Sequence, residues 1–400
     1  MTITRRSFGK GAVAALGAPL LAGLQQPLSA AAAAPSTGSN AQRAVAAYDA
    51  MQRHFYQPQQ HLYAGTFPAS GNPFSYVWPF SQAYAATVDM AGLPVIGSRY
   101  AADVADRATG LQLYWNPAPA SHNPPSPPAP PSPPGYASGV MAPLGGGGDL
   151  FYDDNEWIGL ASIQQYRMTG DAAALTRAQA IFQVVRYGWD PDPSHPFPGG
   201  TYWTQAPWSH DRNTISNAPG AELGLHLALL TGDRSAVADS RRMYDWVNGT
   251  LLAPNGLYWD HVDLKGTIEK TQWTYNQGVM LGAAALLGQA TGDGAYLDRA
   301  TQLAHQALDF YTAANRLYTQ DRIFGAIFFR NLLRLHSVRP DGGYRQAMQS
   351  YADRLWEAVD PATGVLAVQP YKPVDLLDQA ALVQLYALLA WDPAQYGKIT

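Results

Sequence analysis

The tripeptide Thr-Gly-Asp occurs three times, at 169–171, 231–233 and 291–293, a spacing of about sixty residues. Each copy separates two stretches whose apolar residues recur with the helical period. Trp157–Met168, Ala221–Leu230 and Gly278–Ala290 precede the motif; Ala172–Tyr187, Ser235–Leu252 and Ala295–Tyr311 follow it. Glycine readily takes the left-handed conformation that ends a helix, and aspartate accepts the orphan N–H groups that begin the next. The motif therefore predicts a tight helix–turn–helix hairpin, repeated. Such a unit cannot bury its apolar face alone, so the repeats must stack on one another.

A second repeat marks the other end of each unit. Gly199-Gly200-Thr201-Tyr202-Trp203, Asn255-Gly256-Leu257-Tyr258-Trp259 and Asn315-Arg316-Leu317-Tyr318 follow the second helices as longer, aromatic loops. Less regular copies around Ser98–Tyr114 and Tyr344–Ala358, with helices near Ala41–Phe55, Pro79–Ala91, Asp321–Leu335 and Asp375–Ala390, bring the count to about twelve helices in pairs. Alternating strand patterns are nearly absent. The first helix of each pair is rich in Ala, Gly and Leu, as in 278–287, which suits burial on all sides; the second carries charges, as in Asp239-Ser240-Arg241-Arg242. Six sequential pairs predict an all-α (α/α)6 toroid over residues 35–400, a single domain, with an open solenoid as the structural alternative.

Residues 1–34 have the pattern of an export leader. Thr4-Arg5-Arg6-Ser7-Phe8-Gly9-Lys10 is a twin-arginine pattern, a short apolar stretch runs from Ala12 to Leu24, and small residues from Ser29 to Ala34 offer cleavage points. The apolar stretch is too short and too broken by Gly and Pro to span a membrane. The chain contains no Cys, which excludes disulfides, thiol catalysis and a Cys-type zinc site. With 26 basic residues in no run and a formal charge of −4, nothing points to nucleic acid or a strongly anionic ligand. A monomer is expected.

One stretch breaks the helical pattern. Asn116–Pro134 is dominated by Pro and is followed by Gly145-Gly146-Gly147-Gly148. It predicts an extended segment, either a loop overhanging a site or a neutral insertion.

The chemistry centres on Tyr152-Asp153-Asp154-Asn155-Glu156-Trp157, at the start of an inner helix. The pair admits two readings. Asp153 with Glu156 three positions later resembles a capping box, a purely structural start. Alternatively, two carboxyl groups, one protonated and one ionised, are what glycoside hydrolysis requires. A helix N-terminus favours an anion while like-charge repulsion raises the pKa of one member, so adjacent aspartates there can be differentiated.

The loops before the inner helices supply groups suited to sugar hydroxyls and C–H faces: Trp78, Trp203, Gln205, Trp208, Asn213, Asn217, Trp259, Asp260, Tyr275, Asn276 and Gln277. A toroid would place them at one mouth, although any single Asn or Trp among them could equally serve packing. Other chemistries fit less well. The nine His show no metal spacing, and the chain lacks a Gly-x-Ser-x-Gly elbow. Gly145–Gly148 is not followed by the Lys-Ser or Lys-Thr of a phosphate loop, and Ser209-His210-Asp211 is contiguous, unlike a spatial triad. His261 is the one candidate base on the rim for an epimerase.

Taken together, four motifs resemble family 76 of the glycoside hydrolases, the α-1,6-mannanases and related enzymes: Gly145–Gly148 leading to Tyr152–Trp157, Arg212–Pro219, Tyr275–Gly278 and Gly325–Arg330. The resemblance implies an (α/α)6 fold, retention of anomeric configuration, no cofactor or metal, and α-mannan oligosaccharide or polysaccharide as the partner. It also implies Asp153 as nucleophile and Asp154 as acid/base. A transglycosylase on mannan-type glycans and a non-catalytic mannan-binding protein are the alternatives.

Overall fold

The computed structural model describes residues 38–124, 131–367 and 372–400. The leader expected over 1–34 lies outside them, as do 125–130 of the Pro-rich stretch. Residues Thr37–Thr400 form one compact unit.

Twelve α-helices occur among the described residues. In chain order they are α1 (Asn40–Phe55), α2 (Val77–Ala91), α3 (Ala101–Leu111), α4 (Tyr152–Thr169), α5 (Ala172–Tyr187) and α6 (Thr214–Thr231). Then follow α7 (Arg234–Leu251), α8 (Thr274–Thr291), α9 (Gly294–Thr312), α10 (Arg322–His336), α11 (Gly342–Trp356) and α12 (Leu376–Ala390). The even-numbered helices pack side by side in the order α2, α4, α6, α8, α10, α12, and α12 packs on α2, so the ring closes. The odd-numbered helices lie outside: α1 on α12, α3 on α2, α5 on α4, α7 on α6, α9 on α8, and α11 between α10 and α12. This is the (α/α)6 arrangement rather than the open solenoid.

The Thr-Gly-Asp turns form as their chemistry dictates. Gly170, Gly232 and Gly292 sit at φ +74°, +77° and +75°, and no atom stands within 4 Å of where a Cβ would be. Asp171, Asp233 and Asp293 each accept the backbone N–H two residues on, at 3.0, 2.8 and 3.0 Å. Close approach inside the ring depends on another glycine. A Cβ on Gly278 would lie 2.7 Å from Cα of Phe328, so this glycine lets α8 seat against α10.

Two features depart from the sequence expectation. Three inner helices begin earlier than their apolar period: α4 at Tyr152, α6 at Thr214 and α8 at Thr274. Asn217, Tyr275, Asn276 and Gln277 are therefore on first helical turns rather than in loops, because rim loops, not apolar periodicity, bury those polar turns. Short strands also occur in the rim. Asp211–Asn213, His261–Asp263 and Ile268–Glu269 form a three-stranded antiparallel sheet, and Thr66–Phe67 pairs with Val374–Asp375 across the ring closure. Trp115–Asn116 pairs with Gly135–Tyr136, so the two ends of the Pro-rich stretch meet on a two-residue ladder. Strands this short carry no readable alternation.

Candidate active site

The inner helices point their N-termini at one mouth, and none of the six has a side-chain cap of its own. The first donor of five is met instead by the loop of the following repeat. Val77 donates to the Ser138 carbonyl (2.9 Å), Tyr152 to Trp203 (3.0 Å), Thr214 to Asp260 (2.8 Å), and Leu376 to Gly65 (2.9 Å), which closes the circle. Thr274 donates to Oε1 of Gln320 at 2.8 Å. Each rim loop thus does for its neighbour what a capping residue does elsewhere.

This arrangement resolves the capping question at α4. The N-cap is Phe151, and Asp153 and Asp154 lie within the first turn. The capping box does not form. Asp153 is buried, with Oδ1 accepting the Asp154 backbone N–H (3.0 Å) and Oδ2 accepting the Trp203 indole N–H (3.4 Å). Asp154 is fully buried. The Trp203 ring meets Phe151 edge-on at 5.1 Å and Trp208 at 5.8 Å, and Trp208 donates to Asp149 at 3.3 Å. Trp78 packs against Trp157 at 5.6 Å.

A second polar group comes from the sheet. Asp260 Oδ2 pairs with His261 Nδ1 at 2.9 Å, and Oδ1 accepts from Asn276 Nδ2 at 3.4 Å. The Oδ1 atoms of Asn213 and Asn276 are buried and have no hydrogen-bond partner among the described residues. Trp259 is half-buried with the Lys270 ammonium 5.4 Å from its ring, and Tyr275 stacks on Phe324 at 3.9 Å. Gln205 is buried, and its Nε2 is tied to Ser132 Oγ at 2.7 Å.

The amides of Asn217 and Gln277 are engaged with backbone. Asn217 Oδ1 accepts from Thr201 N (2.8 Å), while its Nδ2 donates to the Asn213 carbonyl (2.7 Å). Gln277 likewise takes Tyr258 N (2.7 Å) and gives to the carbonyls of Tyr258 and Trp273 (2.9 and 3.0 Å). Both are fully buried and committed at each end to backbone. Asn155 holds Tyr136, and Gln379 receives Leu366 N, from the equivalent fourth position of α4 and α12. These amides are clamps that fasten each rim loop to its inner helix.

Sequence reasoning missed the groups beneath the pair. Glu156 is fully buried, its carboxyl oxygens lack a hydrogen-bond partner among the described residues, and a Cβ on Gly220 would come within 2.8 Å of Oε1. Burial pushes its carboxyl well above the usual carboxylate range, and the negative neighbours Asp153, Glu222 and Asp154 add to that. Burial raises Glu222 in the same sense, opposed by Arg334 and Arg330. Lower in the ring, a cavity of about 20 Å³ is lined by Glu222, Gln164, Arg330 and Asn331, room for a single water. A fuller acidic count per helix face would have flagged Glu222; the burial of both carboxyls between neighbouring inner helices needed the ring.

Among the described residues no helix is long and apolar enough to cross a membrane. The arrangement offers adjacent buried carboxyl groups beneath aromatic rings at a polar, loop-walled mouth, which is suited to acid–base and nucleophilic work on an uncharged, ring-shaped substrate.

Known proteins sharpen this picture. Over 173 residues the chain is 34% identical to a mannan endo-1,6-alpha-mannosidase of Candida glabrata, covering 38% of each protein. The chain therefore matches about two fifths of the length of that curated relative. The solved family 76 mannosidase of Bacteroides thetaiotaomicron shares the fold, with TM-score 0.75 and 23% identity, over 88% of this chain and 98% of its own. So does an α-1,6-mannanase of Salegentibacter sp., solved as an inactive variant with two consecutive aspartates changed to asparagine, in complex with α-1,6-mannotriose. Its TM-score is 0.70 at 22% identity, over 88% and 99% of the two chains. The model of glycosyl hydrolase family 76 matches residues 134–365, more than half of the sequence and the whole of α4 to α11. The chain belongs to glycosyl hydrolase family 76.

Proposed function

We propose that the protein is an exported, retaining α-1,6-mannan hydrolase, with Asp153 as nucleophile and Asp154 as acid/base. The observation that carries this reading is the placement of both aspartates side by side in the first turn of α4, buried at the mouth beneath Trp203. The donors on Asp153 hold its carboxylate in one orientation, as a nucleophile needs. In the first step Asp153 attacks the anomeric carbon while Asp154 gives its proton to the departing glycosidic oxygen. In the second, Asp154 removes a proton from water, whose oxygen displaces Asp153 and restores the α-anomer. Trp203, Trp208 and Trp259 would contact C–H faces of the sugar, and Asp260, Asn213 and Asn276 its hydroxyls. The Salegentibacter relative, inactive when two consecutive aspartates are replaced together and seen with α-1,6-mannotriose, supports a catalytic pair of adjacent aspartates.

Incubation with linear α-1,6-mannan tests the reading. A ladder of shorter products whose first released sugar is the α-anomer by proton NMR is expected. Longer products would assign transglycosylation instead, the β-anomer would overturn the nucleophile assignment, and an unchanged polymer would sink the enzyme reading. Export through the twin-arginine route has its own check: with Arg5 and Arg6 changed to Lys, precursor should accumulate inside the cell.

A further inference from the structure

The loop between α5 and α6 holds a phenylalanine in a conformation that phenylalanine avoids. Phe197 has φ +54°, in the left-handed region that is costly for a bulky side chain, and it is 42% exposed. Neither property helps the core, yet both are enforced. Arg212 is fully buried and ion-paired at 3.0 Å with the equally buried Asp190. Its guanidinium donates to the carbonyls of Pro196 (2.9 Å), Phe197 (2.9 Å) and Gly199 (3.0 Å). The Trp246 indole also donates to the Phe197 carbonyl, at 3.1 Å. A buried ion pair is expensive to assemble, and this one is directed at the backbone that presents one exposed ring.

The position of that ring is informative. The loop leads into the N-terminus of α6, so it stands at the same mouth as Asp153 and Asp154. Pro196 and Phe197 lie against Gly266, in the turn of the hairpin whose base carries Asp260 and His261; a Cβ there would come within 3.0 Å of Pro196 and 3.9 Å of the Phe197 ring.

We propose that Phe197 is a carbohydrate-stacking platform that takes the C–H face of a pyranose unit remote from the cleaved bond. The proposal rests on the mannan-hydrolase reading and adds to it a site that rewards chain length. A phenyl ring has no hydrogen-bonding group, so it recognises the apolar face of a sugar rather than a hydroxyl pattern. Fixing the loop in advance removes the ordering cost that a mobile ring would incur on binding.

Phe197→Gly removes the ring and also relieves the left-handed strain, which separates binding from folding. The variant should melt at or above the wild-type temperature and keep wild-type kcat/KM on an activated aryl mannoside. On long α-1,6-mannan its kcat/KM should fall roughly three- to tenfold, through KM, and Phe197→Tyr should restore it. Unchanged dependence on chain length overturns the platform. So does a lower melting temperature with equal losses on every substrate, which would make the residue structural. If the wild type cleaves no α-1,6-mannan, the hydrolase reading fails on its own, and calorimetric titration with a long α-1,6-mannooligosaccharide decides the platform. Tighter binding to wild type than to Phe197→Gly supports it; equal affinity or no binding overturns it.

Discussion

At the turn end of the repeats, α4, α6 and α8 each close on a left-handed glycine, and the next helix opens on an aspartate that caps it within two residues. At the mouth end the inner helices start on Phe151, Asn213 or Trp273, none of which caps, and their first donors are met by loops of the next repeat. The turn end is therefore local and repeats independently; the mouth end is cooperative, because each loop is part of two units. The difference shows how a fold makes room for chemistry. When a neighbour meets the first donor of a helix, the N-cap position needs no capping side chain, and the polar groups of the first turn divide between clamps such as Asn217 and the acidic pair Asp153 and Asp154.

The largest effect should come from the acidic pair. Asp153→Asn and Asp154→Asn should each remain folded and lose several orders of magnitude in turnover on mannan, since asparagine could replace aspartate in a cap but not in catalysis. Asp154→Asn should still react with an activated aryl mannoside and accumulate a covalent adduct visible by mass spectrometry. Activity within a few-fold of wild type would make the mouth end as structural as the turn end.

The clamps come next. Asn217→Ala strands buried backbone groups of Thr201 and Asn213, so urea unfolding should show a loss of about 2–4 kcal/mol. At the turn end, Gly232→Ala meets no atoms but must hold φ +77°, a cost of about 1–2 kcal/mol, with kcat on mannan unchanged. Equal losses at the two sites would erase the distinction between cooperative and local ends.

The finest distinction lies in pH dependence. Glu156 holds its proton well above its ordinary value of 4.5 in the folded state, whereas the unfolded chain releases it near that value, so its contribution to stability declines as pH rises above 4.5. Asp233 is the reverse. Hydrogen bonds from Ser235 lower it below 3.8, so its contribution is present above that pH and is lost as pH falls through the folded value. Urea midpoints measured from acid to neutral pH should therefore flatten on the neutral side in Glu156→Gln and on the acid side in Asp233→Asn. The same slope change in both variants would contradict the opposed environments.

Much of this was legible in advance. The Asp pair, its position at an inner helix start and the aromatic loops around it stand in the sequence, and the helix count follows from the repeats. Two of the candidate amides are instructive. Asn217 and Gln277 resemble sugar-binding amides because nothing in their types separates a ligand amide from a backbone clamp. Their signal was positional: Asn155, Asn217, Gln277 and Gln379 all occupy the fourth place of an inner helix. Phe197 gave no signal at all, since its conformation is imposed by Arg212 and Trp246 rather than by its neighbours in the chain.

The sequence by itself determined the turns, the helical hairpins and the candidate carboxylates. These depend on interactions that reach two to four residues, such as Asp233 to Ser235 or Thr231 to Leu227. The tertiary structure alone decided which loop caps which helix, which indole meets Asp153 and where Glu156 is buried. Trp203 stands 50 residues from Asp153, and Gly65 reaches α12 only because the ring closes. A bond between such distant residues has no local pattern to announce it, and it forms only once the repeats have packed against one another.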